Sequence, residues 1–528
     1  MTDILLASAF LAACCLLLLL KKFLRPITLS DIRGPPSPSF VLGHEYEFRN
    51  QDEAGDFNLK FLEEYGTVWK MKTCFDIDNL MVADPLALQH ILHTSGYSYP
   101  KRVDVNHSAK LVVGDGIVVA IGDAHSRQRK AMNPAFSASQ LRTMLPVFQR
   151  SVDHLCRKLK VEAEKVKGES HINLSSLLAR TTLDVIGRAA LDYEFNALDE
   201  ADGPFVKAFK NLLYPYFPQR LLNLVQYMPT REYTRFRHFV ELAKNTAREH
   251  IKEKADVILM EDEKENKDVL SLLVRANKDE EAKHKMNDDE ILCQMSTIIL
   301  AGHDTTANTM AWTLYELSKH QDVQTALRDE IMDARKEHGI ADDDPLSTQM
   351  LDALPLLNAV IKETSRMHPI VPNLAREAGK DDVIPLSYPV QTRSGEWVNS
   401  VTVKKGQAIG ISICAYNRIR AVWGDDANEW NPDRWMKDGV RHDTVNLGVH
   451  ANLLTFSAGL RACIGLIELQ VLMFQLISRF EFAPPPEKYD VMRAAAGLMV
   501  PIIRGKMEMG VNMPLSVTPI NGDIVGVI

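Results

Sequence analysis

The feature that most constrains the fold is a helical run of roughly thirty residues, which starts after Asn287 and reaches about Lys319. Asn287 and Glu290 form a capping-box pattern at its start, and apolar residues such as Ile291 and Ile298 follow on most sides. A helix of this length measures about 45 Å and can cross a whole domain. The pattern therefore predicts a central, buried helix with other elements packed around it.

The interior of this helix contains the segment Ala301–Thr306, whose residues are unusual for a protein core. Gly302 costs about 1 kcal/mol relative to alanine in a helix. A buried Asp304 costs more unless it has a partner. The Thr305 hydroxyl can bond the carbonyl four residues earlier, which bends the helix. We expect a local groove here that carries one acid and one alcohol.

A second segment, from Phe456 to Gly465, has the pattern of a loop that presents a thiolate at Cys463. Phe456 can pack beneath a flat cofactor, and Gly459 allows a tight turn. Arg461 and the start of an apolar helical pattern after Gly465 both favour the ionised sulfur. A lone cysteine is more often buried and inert, but five positions matched at this fixed spacing favour a ligand.

These two segments resemble motifs of the cytochrome P450 family of haem-thiolate monooxygenases, namely F-x-x-G-x-R-x-C-x-G and A/G-G-x-D/E-T-T/S. The resemblance implies a mainly α fold with small β-sheets (α+β) in one domain. It also implies haem b, with Cys463 as axial ligand of the haem iron and Phe456 and Gly459 beside the cofactor. Asp304 and Thr305 would act as proton relay and hydroxyl donor in dioxygen activation.

Other segments extend the resemblance to residues that hold the fold together. Glu363 and Arg366 lie in a helix similar to the family's E-x-x-R helix, and Arg434 in Asn431–Trp435 corresponds to its downstream arginine. The pair pattern alone is weak, because Glu232 and its following residues match it equally well. The resemblance implies a structural network without a chemical role.

Haem propionate contacts are also implied by resemblance. The helix that carries His125 and Arg129 is similar to the family's W-x-x-x-R helix, although histidine stands where tryptophan is usual. Arg376 and Arg461 match two further propionate-binding arginines, and guanidinium groups bind carboxylates in a forked geometry. His303 occupies the variable position of the helix motif, where we expect a packing residue or a partner of neighbouring groups.

The N-terminus predicts a membrane attachment. Residues 1–25 combine an apolar run with basic residues after it, which favours an uncleaved transmembrane anchor over a signal peptide. Residues 26–40 form a proline-rich hinge, and 41–520 the monooxygenase domain. The positive-inside rule leaves that domain cytosolic, so we expect a single-pass protein of the endoplasmic reticulum in contact with membrane lipid.

Composition excludes several function classes. Lys+Arg 61 against Asp+Glu 69 gives a net charge of -8, which argues against non-specific nucleic-acid binding. The seven cysteines are scattered, so neither a disulfide framework nor a zinc site is expected. The chain has a mainly helical pattern over 55–380, and 383–413 predicts hairpin strands.

The expected activity is insertion of one atom of dioxygen into an apolar substrate with electrons from NADPH. No G-x-G-x-x-G loop opens a helix, so a separate NADPH–cytochrome reductase is implied. Lys101, Arg127, Lys130 and Arg441 are candidates for its docking face.

The His125 helix resembles fungal secondary-metabolism members of the family, which favours a terpenoid-like substrate. Alternatives within the family are a fatty-acid or aromatic hydroxylase and a haem-thiolate isomerase, although Asp304 and Thr305 speak against the last. Outside the enzymes, a haem carrier or gas-binding protein is the alternative. The residues expected to line the substrate pocket are apolar: Val112, Val113, Ile121, Ile298, Ala301, Ile370, Val371, Leu498 and Met499.

Overall fold

A computed structural model gives the conformation of most of the chain. It describes residues 29–166, 171–200, 234, 237–238, 241–242, 245, 248, 268–278, 285–341, 344–436, 445, 447–458, 466–495 and 497–520.

Helices dominate the described ranges, and we number them in chain order. The first eight are α1 Glu45–Arg49, α2 Asp56–Tyr65, α3 Pro85–Gln89, α4 Val103–Val113, α5 Gly122–Met132, α6 Ala138–Val166, α7 Leu174–Ile186 and α8 Val269–Lys278. The remaining ones are α9 Asp288–Lys319, α10 Gln321–His338, α11 Thr348–Asp352, α12 Pro355–Met367, α13 Ile413–Tyr416, α14 Arg420–Trp423 and α15 Ile467–Arg479.

The long helix α9 is the centre of the helical part, as its apolar pattern predicts. It contains 32 residues and is buried along most of its length, and it packs on α4, α7, α10, α12 and α15. The capping box is confirmed, because the Asn287 side chain accepts from the Glu290 backbone and the Glu290 side chain accepts from the Asn287 backbone. At the crossing with α7, a Cβ on Gly302 would lie 2.5 Å from the Ile186 Cδ1 atom. Glycine therefore permits this close helix contact.

The strands form small sheets beside the helices. They are β1 Val68–Thr73, β2 Ile77–Val82, β3 Ile172–Asn173, β4 Asn373–Glu377, β5 Asp382–Gln391, β6 Trp397–Val403, β7 Ala408–Ser412, β8 Gly448–His450, β9 Leu453–Ala458, β10 Phe480–Ala483, β11 Val491–Ala495, β12 Met499–Ile503 and β13 Pro514–Pro519. The largest described sheet has the order β1-β2-β7-β4, and β10-β13-β3 form another. The pairs β5–β6, β8–β9 and β11–β12 are hairpins.

The predicted strands within 383–413 are confirmed by β5, β6 and β7. The expectation of a mainly helical segment from residue 55 was wrong over 68–82, where β1 and β2 form an antiparallel pair. Both strands are short and largely buried, and a short buried run does not show the alternation that identifies a half-exposed strand.

Two large hydrophobic clusters correspond to the two kinds of structure. One surrounds α9 and includes residues of α6, α7, α12 and α15. The other lies against the four-stranded sheet and the β5–β6 hairpin. This arrangement agrees with the predicted α+β class.

The structure describes only part of the N-terminal region for which an anchor and a hinge are predicted. Residues 1–25, the predicted anchor, and 26–28 of the predicted hinge lie outside the described residues. Among the helices whose bounds are given above, none is long and apolar enough to span a membrane. The described part of the hinge follows the sheet: the Lys70 amide donates to the Arg33 carbonyl at 2.8 Å, and Ile32 bridges Thr392.

Candidate active site

Side chains along α9 repeatedly bond the backbone four residues earlier. The Thr305 hydroxyl donates to the Ala301 carbonyl at 2.7 Å, which is the bond that the sequence predicts. Thr306 does the same to Gly302 at 3.0 Å, and Thr309 to Thr305 at 2.8 Å. These bonds satisfy the hydroxyl donors within the helix, so that the threonines can lie in a buried setting.

Unlike these threonines, Asp304 has another side chain as its partner. It is 8% exposed, and its Oδ1 lies 3.1 Å from the Nε2 of His303. Its Oδ2 is buried and has no hydrogen-bond partner in the described part of the chain. A buried carboxyl oxygen without a partner is costly, and such groups are often found where chemistry requires them.

Between its exposed ends, α9 has an accessible surface near its centre. Ala301 is exposed and Thr305 is half-buried, whereas Ile291–Ile299 and Thr306–Leu314 are buried. Small side chains therefore border an open space at one level of a helix that is otherwise enclosed by neighbours. Thr305 reaches this space, and Asp304 precedes it in the chain.

A second buried acid, Glu468 in the first turn of α15, lies against this part of α9. It hydrogen-bonds Thr306, and burial raises its pKa to about 8. Its Oε1 has no hydrogen-bond partner among the described residues. Glu468 was not predicted from the sequence, although a single acid within the apolar run 466–473 is a usable signal.

The structure brings together Glu363, Arg366 and Arg434 near the C-terminal end of α12. Arg366 donates from Nε and Nη2 to the two Glu363 carboxylate oxygens at 3.0 and 2.8 Å. The Arg434 Nε lies 3.5 Å from the Glu363 Oε1. The Trp435 Nε1 donates to Oε2 at 3.0 Å and the Asn431 amide to Oε1 at 2.9 Å. All four lone-pair directions of this carboxylate therefore face donors.

Asn417 connects that cluster to β9, the strand that precedes the predicted thiolate loop. The Arg366 Nη1 donates to the Asn417 carbonyl at 2.8 Å, and the Asn417 side chain donates to the Thr455 hydroxyl at 3.2 Å. Thr455 in turn donates to the Ser365 carbonyl at 2.6 Å. Phe456 is the next residue and packs against the α9 cluster. The sequence analysis missed Asn417 and Thr455, because no local pattern marks a buried polar residue that bonds a distant strand.

The predicted propionate contacts lie on two elements that share a neighbour. His125 on α5 is 3% exposed, and its Nδ1 is 2.9 Å from the Tyr97 hydroxyl. Arg376 on β4 is 4% exposed, and its backbone bridges that of Lys101. The partners of His125 and Arg376 are therefore Tyr97 and Lys101, which are four residues apart and at most about 14 Å from each other along the chain. His125 and Arg376 thus lie near opposite ends of the short segment 97–101. Arg129 follows one turn after His125 and is half-buried; Tyr97 was not foreseen.

The remaining predicted site residues, Gly459, Arg461 and Cys463, lie outside the described residues. The structure describes the elements before and after this segment. Strand β9 ends at Ala458, and α15 begins at Ile467. In β9, Ser457 has a φ of 59°, a left-handed conformation that is uncommon for a residue with a side chain.

Helix α5 is attached to the start of α9 by charge and hydrogen bonds. The Arg127 Nη2 is 2.5 Å from the Glu290 Oε1, and Gln128 donates to the same oxygen at 3.0 Å. The bond from Arg127 lowers the pKa of Glu290 to about 2. Arg127 was a candidate for a docking face, and the structure instead gives it an intramolecular partner. Lys130 is exposed, whereas Lys101 donates to the Val118 carbonyl; Arg441 lies outside the described residues.

Comparison with known proteins identifies the family to which the chain belongs. A family model described as cytochrome P450 matches residues 33–509. Cytochrome P450 monooxygenase 205 of Postia placenta is 34% identical and covers 93% of each chain. Ganoderic acid synthetase CYP5150L8 of Ganoderma lucidum is also 34% identical, over 79% of this chain and 82% of its own. Cytochrome P450 monooxygenase claP of Ampulloclitocybe clavipes is 30% identical over 86% of each. The chain therefore belongs to the cytochrome P450 family of monooxygenases.

Proposed function

We propose that the protein is a haem b monooxygenase that hydroxylates or otherwise oxidises an apolar organic substrate. In a hydroxylation, substrate, dioxygen, NADPH and one proton give the product alcohol, water and NADP⁺. The observation that carries the proposal is the accessible centre of α9, where Thr305 borders the open space and the Asp304 carboxyl has one oxygen without a partner. A haem carrier or gas-binding protein has no need for this acid and alcohol.

The family implies a haem cofactor, and the described residues fit such a group. Ala301 presents only a methyl group to the open space, so that a flat ring system can approach α9 closely. Arg376 and His125 are buried nitrogen-bearing side chains near one short segment, and a buried guanidinium suits a carboxylate such as a propionate. Phe456 would lie beside the ring, Gly459, Arg461 and Arg129 would make further contacts, and Cys463 would hold the iron. When bound, the haem supplies dioxygen binding and electron transfer.

The protein's own part in the reaction is to control protons and water. The Thr305 hydroxyl donates to the Ala301 carbonyl, which fixes its oxygen with lone pairs left to accept a proton or a hydrogen bond. Asp304, the preceding residue, is the acid that we propose exchanges a proton with Thr305 through a water molecule. The buried residues on either side of this level restrict the supply of water, and therefore of protons, to this route.

The substrate is proposed to be a terpenoid-like intermediate of secondary metabolism. Four residues expected to line its pocket are buried and apolar, namely Val113, Ile298, Ile370 and Met499. The Met499 amide donates to the Ile370 carbonyl at 2.8 Å, so that two of the four lie on neighbouring segments. Ile121 is 50% exposed. A relative named for the synthesis of ganoderic acid supports the substrate class.

Electrons are proposed to come from a separate NADPH–cytochrome reductase. The protein is proposed to be a single-pass protein of the endoplasmic reticulum, held by residues 1–25, with its catalytic domain in the cytosol and in contact with lipid. The apolar run followed by basic residues supports this placement. Membrane extraction of a variant that lacks residues 1–25 tests it, and a variant that pellets with membranes as fully as the complete chain would contradict the anchor.

Replacement of Thr305 tests the function. In Thr305→Ala, substrate binding and first reduction should persist, while the ratio of product formed to NADPH consumed falls, because ordered proton transfer contributes about 10²–10⁴-fold. Hydrogen peroxide should replace the missing product. The substrate is first selected from terpenoids, fatty acids and small aromatics by binding difference spectra.

Thr309→Ala is the matched control for this experiment. Thr309 makes the same backbone bond one turn later, to the Thr305 carbonyl at 2.8 Å, but is 6% exposed and does not border the open space. Equal ratios in the wild type and both variants would contradict the role of Thr305. A reduced, carbon monoxide-treated protein without the red-shifted absorption of a thiolate-bound haem would contradict the proposed function itself.

A further inference from the structure

In its described contacts, the His303–Asp304 pair has more acceptors than donors unless it holds an extra proton. The His303 Nδ1 lies 2.8 Å from the Ile299 carbonyl oxygen. A carbonyl oxygen only accepts, so Nδ1 carries a hydrogen. The other ring nitrogen, Nε2, lies 3.1 Å from the Asp304 Oδ1. A neutral ring with its hydrogen on Nδ1 would direct a lone pair at the carboxylate, which is repulsive.

A proton between Nε2 and Oδ1 removes this conflict. The pair is then either an imidazolium beside a carboxylate or an imidazole beside a carboxylic acid, and both descriptions contain the same proton. His303 is 3% and Asp304 is 8% exposed. In a buried site a charge needs a partner of opposite sign or neutralisation, and the shared proton provides one or the other.

The backbone holds His303 in this position from two sides. Its Nδ1 bond to Ile299 fixes the ring along α9. Its own carbonyl accepts from the Thr182 hydroxyl of α7 at 3.0 Å. Gly302 permits α7 to approach at this level, because a Cβ there would meet Ile186. The histidine is therefore oriented by the helix crossing, and its Nε2 is directed at the acid.

We propose that His303 is a positioning residue that stores the proton which Asp304 delivers during the reaction. In this step the shared proton moves from Nε2 to the Asp304 carboxylate, and the resulting carboxyl group delivers it after rotating about its Cβ–Cγ bond, which is not held at Oδ2 by any described partner. Imidazolium becomes imidazole, the Asp304 carboxylate is ionised both before and after the delivery, and no electrons are exchanged. The proposal rests on the proposed function, because it assigns a source to the proton that Asp304 supplies.

Nitrogen NMR of histidine in the holoenzyme tests the shared proton directly. The protein is labelled with ¹⁵N-histidine, and the His303 signals are assigned by their loss in His303→Gln. At neutral pH we expect the wild type to have both ring nitrogens protonated or engaged with a shared proton. In Asp304→Asn the Nε2 signal should move to the position of an unprotonated nitrogen. Identical His303 signals in the wild type and Asp304→Asn would overturn the proposal.

The functional consequence is measured in His303→Gln, because glutamine can still donate a hydrogen bond to Asp304 but cannot store a proton. We expect its ratio of product to NADPH to fall about tenfold or more, with haem content unchanged and a larger solvent deuterium isotope effect. His320→Gln is the matched control: the His320 Nδ1 makes the same bond, 2.8 Å from the Glu316 carbonyl, at the far end of α9.

The outcomes separate the two claims. A His303→Gln enzyme with the coupling ratio of wild type and His320→Gln overturns the role of His303, while product formation by the wild type leaves the proposed function intact. If His303→Gln lacks haem, the NMR comparison of wild type with Asp304→Asn decides whether His303 shares a proton with Asp304. A wild type that binds no haem through thiolate contradicts the proposed function, and the NMR comparison still tests the shared proton.

Discussion

Two buried acid sites in this protein differ in how completely their hydrogen bonds are satisfied. The first, which we call the Glu363 cluster, contains Glu363, Arg366, Arg434 and Trp435, and every direction of its carboxylate faces a donor. The second, the α9 centre, consists of Ala301–Thr306 with Glu468, and both its carboxyl groups have an oxygen without a described partner. Complete satisfaction gives rigidity, whereas an incomplete set leaves protons that can move.

The position of each site in the fold agrees with this difference. The Glu363 cluster connects α12 to Asn417 and, through Thr455, to β9, so it holds the strand that enters the predicted thiolate loop. The α9 centre lies where α7, α9 and α15 meet. A structural network needs fixed geometry, while a proton-transfer site needs a group whose protonation state can change.

The largest effect is expected from Glu363→Ala. The change leaves Arg366, which is 0% exposed, as an uncompensated buried charge and should cost about 3–5 kcal/mol of unfolding free energy. Urea unfolding and haem content per chain measure it. The double variant Glu363→Ala/Arg366→Met should recover part of the loss; a single variant with normal stability and haem content would remove the distinction between the two sites.

A smaller effect, which depends on pH, is expected from Glu468→Gln. Burial raises the pKa of Glu468 to about 8 from an ordinary value of 4.5. The unfolded chain therefore loses this proton first, and stability falls as pH rises from 4.5 towards 8, by at most about 1.4 kcal/mol for each pH unit. The amide cannot ionise, so unfolding curves of the variant should lack this component. Wild-type and variant stabilities that run parallel between these pH values would contradict a protonated Glu468.

Trp435→Phe removes one donor from the Glu363 cluster and keeps an aromatic ring. The Nε1 bond to a carboxylate should be worth about 2 kcal/mol. Trp430→Phe is the control, because the Trp430 Nε1 donates to the neutral Thr364 hydroxyl at 3.1 Å and its loss should cost about 1 kcal/mol. Urea midpoints compare the two. A larger loss in the Trp430 variant would show that charge is not what strengthens the cluster.

The smallest effect is expected from Gly302→Ala at the α9 centre. Contact with Ile186 costs about 1–3 kcal/mol of overpacking, and the better helix propensity of alanine returns about 1 kcal/mol. Valine at position 186 lacks the Cδ1 atom that lies 2.5 Å away. Because valine keeps Cγ1, at 2.9 Å from the added Cβ, the double variant Gly302→Ala/Ile186→Val should regain part of the stability measured by urea unfolding; no recovery would mean that the glycine is not needed for this contact.

The sequence predicted those parts of the molecule that local pattern determines. The bounds and cap of α9 and the Thr305 backbone bond follow from residues close in the chain. Strands β1 and β2 did not, because their burial depends on β7, more than three hundred residues later. Glu468 and Asn417 were missed for the same reason, since each acquires its partner only through packing. His303 was expected to be a packing residue or a neighbour's partner, but the direction of its Nε2 needed coordinates.

The cap at Asn287 acts at a distance on Thr305. Arg127 and Gln128 hold Glu290 from α5, so the first turn of α9 has a fixed rotational setting as well as a fixed start. Each residue of a helix turns the chain by about 100° and advances it about 1.5 Å. One residue inserted between Glu290 and Ala301 would therefore turn Thr305 away from the open space, while an insertion before Asn287 would leave its direction unchanged. In evolution, length variation should thus be tolerated before the cap and excluded after it.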